Sequence, residues 1–178
     1  MRGRAVILVA EDNPDDAVLL EQAFLKIGLT ARLRFVCDGY EAIAYLEGRS
    51  PFNDPVKNPL PNLILVDLKM PRLNGFELLN WLHFQSATKR MLVGVLSGVD
   101  QPGSVEQAYR SGAQFHISKP HRFEDLVSIA QFLIQASDSY SKGSASFVAP
   151  PGVLSAILQA QTILPIHLKP SAQPSPAT

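Results

Sequence analysis

Leu63-Ile64-Leu65-Val66-Asp67-Leu68-Lys69-Met70-Pro71-Arg72-Leu73-Asn74-Gly75 is the stretch that decides the fold. Four apolar residues ended by an acid read as a strand covered on both faces. Pro71 marks a turn, and Asn74-Gly75 starts a helix that carries Phe76, Leu79 and Leu82 inward. A strand followed at once by a helix is half of a parallel crossover unit, and the rest of the chain repeats it.

Upstream, Ala5 to Ala10 is another continuous apolar run, followed by Glu11-Asp12. Asn13 and Pro14 then open a helix, since Asn caps and Pro fits the first turn. Leu19, Leu20, Ala23, Phe24 and Ile27 keep helical spacing until Gly28. Ala31 to Val36 reads as the second strand. Asp38 stands three residues before Glu41, the spacing of a capping box, and opens a helix that turns Ala42, Ile43 and Leu46 inward and stops at Gly48. Residues 49–61 form a Pro- and Asn-rich loop longer than such connections usually are.

Downstream, Met91 to Leu96 is the fourth strand. Asp100 and Pro102 start a short helix ending at Gly112, and Gln114 to Ser118 is the fifth strand. A last helix, about Arg122 to Ala136, buries Leu126, Ile129, Ala130 and Leu133. Five strand-then-helix units imply an α/β fold, a five-stranded parallel sheet with helices on both faces. Right-handed crossovers favour the order 2-1-3-4-5.

Composition narrows the function. Apolar residues make up 46% of the 178, enough for a real core, and sixteen basic residues balance sixteen acidic ones. A nucleic-acid binder usually carries a concentrated basic excess, so none is expected as a partner. Cys37 is the single cysteine; it excludes an internal disulfide and reads as a small core or boundary residue. No apolar run approaches the ~18 residues that span a bilayer, so the expected location is the cytoplasm, away from membranes.

In a sheet of this order, ligands sit outside the carboxyl ends of the strands. Glu11 and Asp12, Asp67, Ser97 and Lys119 are the residues placed there. Each alone has a bland reading as a cap, a turn or a loop residue. Together they suit phosphoryl transfer: carboxylates that hold Mg²⁺, a lysine that neutralises charge, a hydroxyl that donates, and Asp67 on the central strand as nucleophile.

At these residues the chain resembles the receiver domains of bacterial two-component response regulators. The match lies in Ile7-Leu-Val-Ala-Glu-Asp-Asn13, Leu63 to Gly75, Val95-Leu-Ser-Gly98, Ser111-Gly-Ala113 and Ile117-Ser-Lys-Pro120. The chain is most similar to the stand-alone regulators associated with phytochrome-type sensor kinases. The resemblance implies a flavodoxin-like doubly wound fold and a phosphoprotein whose Asp67 takes phosphate from a sensor histidine kinase. It implies Mg²⁺ at Glu11, Asp12, Asp67 and the Lys69 backbone carbonyl. Ser97 would be the switch hydroxyl, Lys119 would contact the phosphoryl group, and a cis bond would precede Pro120. It further implies that the protein signals through contacts, with homodimers through the fourth helix, fifth strand and fifth helix. It would be no enzyme beyond its own phosphorylation and dephosphorylation. A phosphorelay intermediate and a non-phosphorylated interaction module are the alternatives.

One departure and two further positions bear on this. His116 stands where the family has Tyr or Phe; it is either a smaller switch rotor or, the favoured reading, a surface residue on an edge strand. Lys69 stands where aspartate-nucleophile phosphatases need a second Asp, which counts against them; otherwise it is a solvated loop lysine or an entrance residue. Glu-Asp-Asn after the first strand replaces the glycine-rich turn of a dinucleotide binder. The receiver is expected over 1–136. Residues 137–178, with six prolines, eight serines and three charges, form a tail. Within it, 152–164 keeps a helical rhythm and could form a short helix.

Overall fold

A computed structural model describes residues 5–86, 91–98, 103–141 and 166–168. Its elements alternate in chain order: β1 (Ile7–Ala10), α1 (Pro14–Lys26), β2 (Leu33–Val36), α2 (Gly39–Leu46), β3 (Leu63–Val66), α3 (Gly75–Phe84), β4 (Leu92–Ser97), α4 (Ser104–Arg110), β5 (Phe115–Ser118), α5 (Phe123–Ser141) and β6 (Ile166–Leu168). The sheet order is β2-β1-β3-β4-β5-β6. β1 to β5 are all parallel, the expected five-stranded arrangement.

The strands obey the pattern of their residues. All four residues of β1 and all four of β3 are buried, as central parallel strands require. Alternate side chains feed two cores, one under α1 and α5 and one under α2, α3 and α4. Ile7, Val9, Leu63 and Leu65 belong to the first, and Leu8, Ala10, Ile64 and Val66 to the second. On β4, Gly94 has no side chain because the Phe115 ring fills that space; a Cβ there would collide with it.

The caps follow the sequence. Asn13 accepts from Asp15 N and opens α1 with Pro14. Asn74 and Glu77 complete a capping box on α3, which buries Leu78, Leu79 and Leu82 while Phe76 is only partly covered. Asp38 caps α2 through Glu41 N, whereas the Glu41 carboxylate reaches Cys37 N instead of closing a box on Asp38.

Several expectations shift. Residues 30–32 form a 3-10 turn, so the second strand starts at Leu33 rather than Ala31. Cys37 is exposed, because it lies past the end of β2 on the rim. α5 runs beyond Ala136 to Ser141. The sheet also gains a sixth strand: β6, from the tail, pairs antiparallel with β5, Phe115 against Leu168 and Ile117 against Ile166. Asp100, Pro102 and the 152–164 stretch lie outside the described residues. Among the described residues no helix is long and apolar enough to cross a membrane.

Candidate functional site

The carboxyl ends of β1, β3, β4 and β5 meet at one rim. β1 is in register with β3, Ala10 opposite Val66, and Asp67 N donates to Ala10 O at 2.9 Å. That pairing sets Glu11 and Asp12 beside Asp67. One carboxylate oxygen from each of the three lies within 4.8 Å of the others. Glu11 and Asp67 are buried and Asp12 is exposed.

Asp67 is held on both oxygens. Its Oδ1 accepts from Ser97 Oγ at 3.0 Å and from Lys69 N at 3.0 Å. Its Oδ2 accepts from Lys119 Nζ at 2.6 Å. Lys119 also reaches Glu11 at 2.8 Å and Asp16 at 2.7 Å. So the structure brings together Glu11, Asp12, Asp67, Ser97 and Lys119, residues spread over the chain from 11 to 119. Lys69 contributes its main chain here, while its side chain is exposed.

The electrostatics are strained until charge is added. Burial pushes the Glu11 carboxyl up to about 7, with Asp67 adding repulsion, against hydrogen bonds from Lys119 and Asn13 N. Burial works against the charge on Lys119, but its bonds to Asp16, Asp67 and Glu11 outweigh that and hold its pKa above the usual value. Three converging carboxylates with one ammonium leave an acid excess that suits a hard cation with oxygen ligands. The donor set therefore fits Mg²⁺. If Mg²⁺ binds, adding it at 100 times its Kd stabilises the fold by about 2.7 kcal/mol. Denaturant midpoints with Mg²⁺ and with a chelator check this, and Asp12→Ala should lose most of the shift.

The loop that carries Asp67 is braced from the neighbouring turn. Arg72 takes φ 66, a left-handed value uncommon for a residue with a side chain. Its guanidinium pairs with Asp38, whose carboxylate is fully buried. Gly39 N donates to Leu73 O at 3.3 Å, and Gly39 lacks the Cβ that would strike Leu73.

His116 is not the surface residue on an edge strand that the sequence suggests. It is 1% exposed, and β5 lies between β4 and β6, with His116 opposite Val95 on one side and His167 on the other. The edge was misjudged because β6 comes from a tail whose composition gives no strand signal. Tyr109 on α4 hydrogen-bonds the His116 main chain; burial nevertheless pushes its phenol up to about 12. The cis bond implied before Pro120 is not found; among the described residues the cis peptide is Ser50–Pro51.

Asp16 was not anticipated at the site. Its sequence signal is only that of an acid in a first helical turn. Nothing local reveals that its partner lies 103 residues away.

Comparison with known proteins identifies the family and the fold. The family described as "Response regulator receiver domain" matches residues 7–131. The probable methanogenesis regulatory protein FilR2 of Methanothrix harundinacea is 31% identical over 121 residues, 68% of this chain and 76% of that protein. Response regulator Rcp1 of Synechocystis is 29% identical over 126 residues, 71% of this chain and 84% of its own. The structure of its Mn(2+)-bound form aligns with a TM-score of 0.63 at 26% identity, covering 83% of this chain and 99% of that one. The phosphorylated cyanobacterial phytochrome response regulator RcpA aligns with a TM-score of 0.68 at 27% identity, covering 77% and 96%.

Proposed function

Because the chain belongs to the response regulator receiver domain family, we propose that Asp67 is its phosphoacceptor and that a sensor histidine kinase supplies the phosphoryl group. The observation that supports this is the convergence of Lys119 and Ser97 on the two oxygens of Asp67, beside Glu11 and Asp12.

An Asp67 oxygen forms the new bond to phosphorus as the bond from phosphorus to the donor histidine nitrogen breaks. The electron pair of that bond stays on the imidazole. Lys119 is placed to neutralise the charge of the phosphoryl oxygens, and the Ser97 hydroxyl turns from Asp67 toward them. Glu11, Asp12, Asp67 and the Lys69 carbonyl would hold Mg²⁺, which supplies further charge neutralisation when bound. Ser97 and His116 form the switch pair in this reading, with His116 acting from inside the sheet. The output is phosphorylation-dependent protein contact in the cytoplasm. The face formed by α4, β5 and α5 is the candidate dimer surface, although the free edge of β5 is already occupied by β6.

The test is intact-mass measurement after incubation with acetyl phosphate and Mg²⁺. A gain of one phosphate, absent in Asp67→Asn, is the expected result. An unlabelled wild type, or an Asp67→Asn variant labelled to the same extent, would overturn the assignment.

A further inference from the structure

A lysine ammonium has three N–H donors and no acceptor. Lys119 spends them on three carboxylates: Glu11 at 2.8 Å, Asp16 at 2.7 Å and Asp67 at 2.6 Å. Two of these acceptors, Glu11 and Asp67, also belong to the carboxylate trio suited to a cation; Asp16 does not. We infer that Asp16 is the positioning residue for Lys119, anchoring one donor so that the ammonium stays beside Asp67 when its other two bonds change. This rests on the phosphoacceptor reading above.

The argument starts from the stem of Lys119. Four rotatable bonds make the ammonium a poorly placed charge unless something outside the reaction holds it. The cleft around it is lined by Leu19, Leu20, Leu96, Pro120 and Leu126, which offer packing and no side-chain acceptor. Glu11 and Asp16 are the acids of that lining. When Glu11 and Asp67 engage a cation and a phosphoryl group, their bonds to Lys119 are the ones that must change. The bond to Asp16 need not change.

Asp16 is well placed for a fixed anchor. It is the third residue of α1, behind the Asn13 cap and Pro14, in the turn where the helix dipole favours a negative charge. α1 in turn packs along α5, so the anchor is tied to the scaffold instead of to a loop. Its side chain is 34% exposed. A carboxylate with that much water around it can lose its charge without collapsing the core, so its removal is testable in a folded protein.

The experiment compares wild type, Asp16→Ala, Asp16→Glu, Lys119→Ala and the Asp16→Ala/Lys119→Ala double variant. At saturating Mg²⁺, Asp16→Ala should slow acetyl phosphate labelling about tenfold, the scale of one charge-assisted hydrogen bond. Asp16→Glu should recover part of the rate. Calorimetry should show the Mg²⁺ Kd of Asp16→Ala within about threefold of wild type, since Asp16 is no ligand. In the Lys119→Ala background, removing Asp16 should slow labelling no further. In metal-free protein, denaturant unfolding of the same set should show Asp16 and Lys119 coupled by about fivefold in the unfolding constant. Equal slowing with and without Lys119, an unchanged rate, or a Mg²⁺ loss as large as that of Asp12→Ala would overturn the anchor role. A wild type that takes no phosphate would instead sink the phosphoacceptor reading itself, while the metal-free coupling would still report whether the pair exists.

Discussion

Gly75→Ala should lower the unfolding free energy by about 3 kcal/mol and slow labelling by acetyl phosphate at least about tenfold, although alanine is the better helix former. The two effects compete at a helix start. Propensity alone would favour alanine by up to about 1 kcal/mol. Space decides against it. A Cβ at residue 75 would strike Asp67 O and lie 2.6 Å from Leu68 Cα, and both are main-chain atoms that cannot swing aside. Gly75 N also donates to Leu68 O at 3.1 Å, so the close approach is held by a hydrogen bond. Relief requires either tilting α3, which buries Leu78, Leu79 and Leu82, or displacing the strand end that presents Asp67. The second route separates Asp67 from Ser97 and Lys119, and the first loosens the packing of Leu78, Leu79 and Leu82 beneath the loop that carries Lys69. Urea midpoints and labelling rates measured on one preparation check both halves. An alanine variant as stable as wild type would show that the contact between loop and helix yields easily.

The same residue shows why so much of this site was legible in the sequence. Asp67 and Gly75 are eight positions apart, and strand, acid, turn and helix start follow from local chemistry. Glu11, Asp12, Ser97 and Lys119 could be placed because each ends a strand, and parallel strands with one hand of crossover must end at one rim. What could not be read were interactions whose partners are remote and whose local signal is ordinary. Asp16 looks like any acid in a first helical turn. Arg32 looks like a polar residue within the second strand. Cys37 fitted a buried boundary position by residue type alone, yet one step past the end of β2 put it on the surface. His116 depended on a strand fifty residues further on, in a segment rich in Pro and Ser. The common cause is that burial is a property of the assembled sheet, whereas composition reports only the segment.

Arg32 supplies the second large effect, and it bears on where the folded unit ends. Arg32 is 5% exposed. Its Nε donates to Ala5 O at 2.7 Å, its Nη2 to Ser137 Oγ at 3.1 Å, and its two terminal nitrogens to the Asp138 carboxylate at 3.2 and 2.6 Å. One guanidinium thus fastens the chain before β1, the turn before β2 and the end of α5. Arg32→Ala should therefore cost about 3 kcal/mol, because it strands buried acceptors as well as losing the ion pair. Arg32→Lys should recover little, since an ammonium cannot reproduce the planar fork that serves three acceptors at once. A chain ending after Ala136 would lose Ser137 and Asp138, and β6 with them, and should be destabilised in the same sense. In that shortened chain, Arg32→Ala should cost clearly less than in the full chain, because two of the three partners are already gone. Denaturant midpoints of the four proteins measure this directly. Equal costs in the two backgrounds would mean that the α5 end contributes nothing through Arg32, leaving the bond to Ala5 to carry the whole effect.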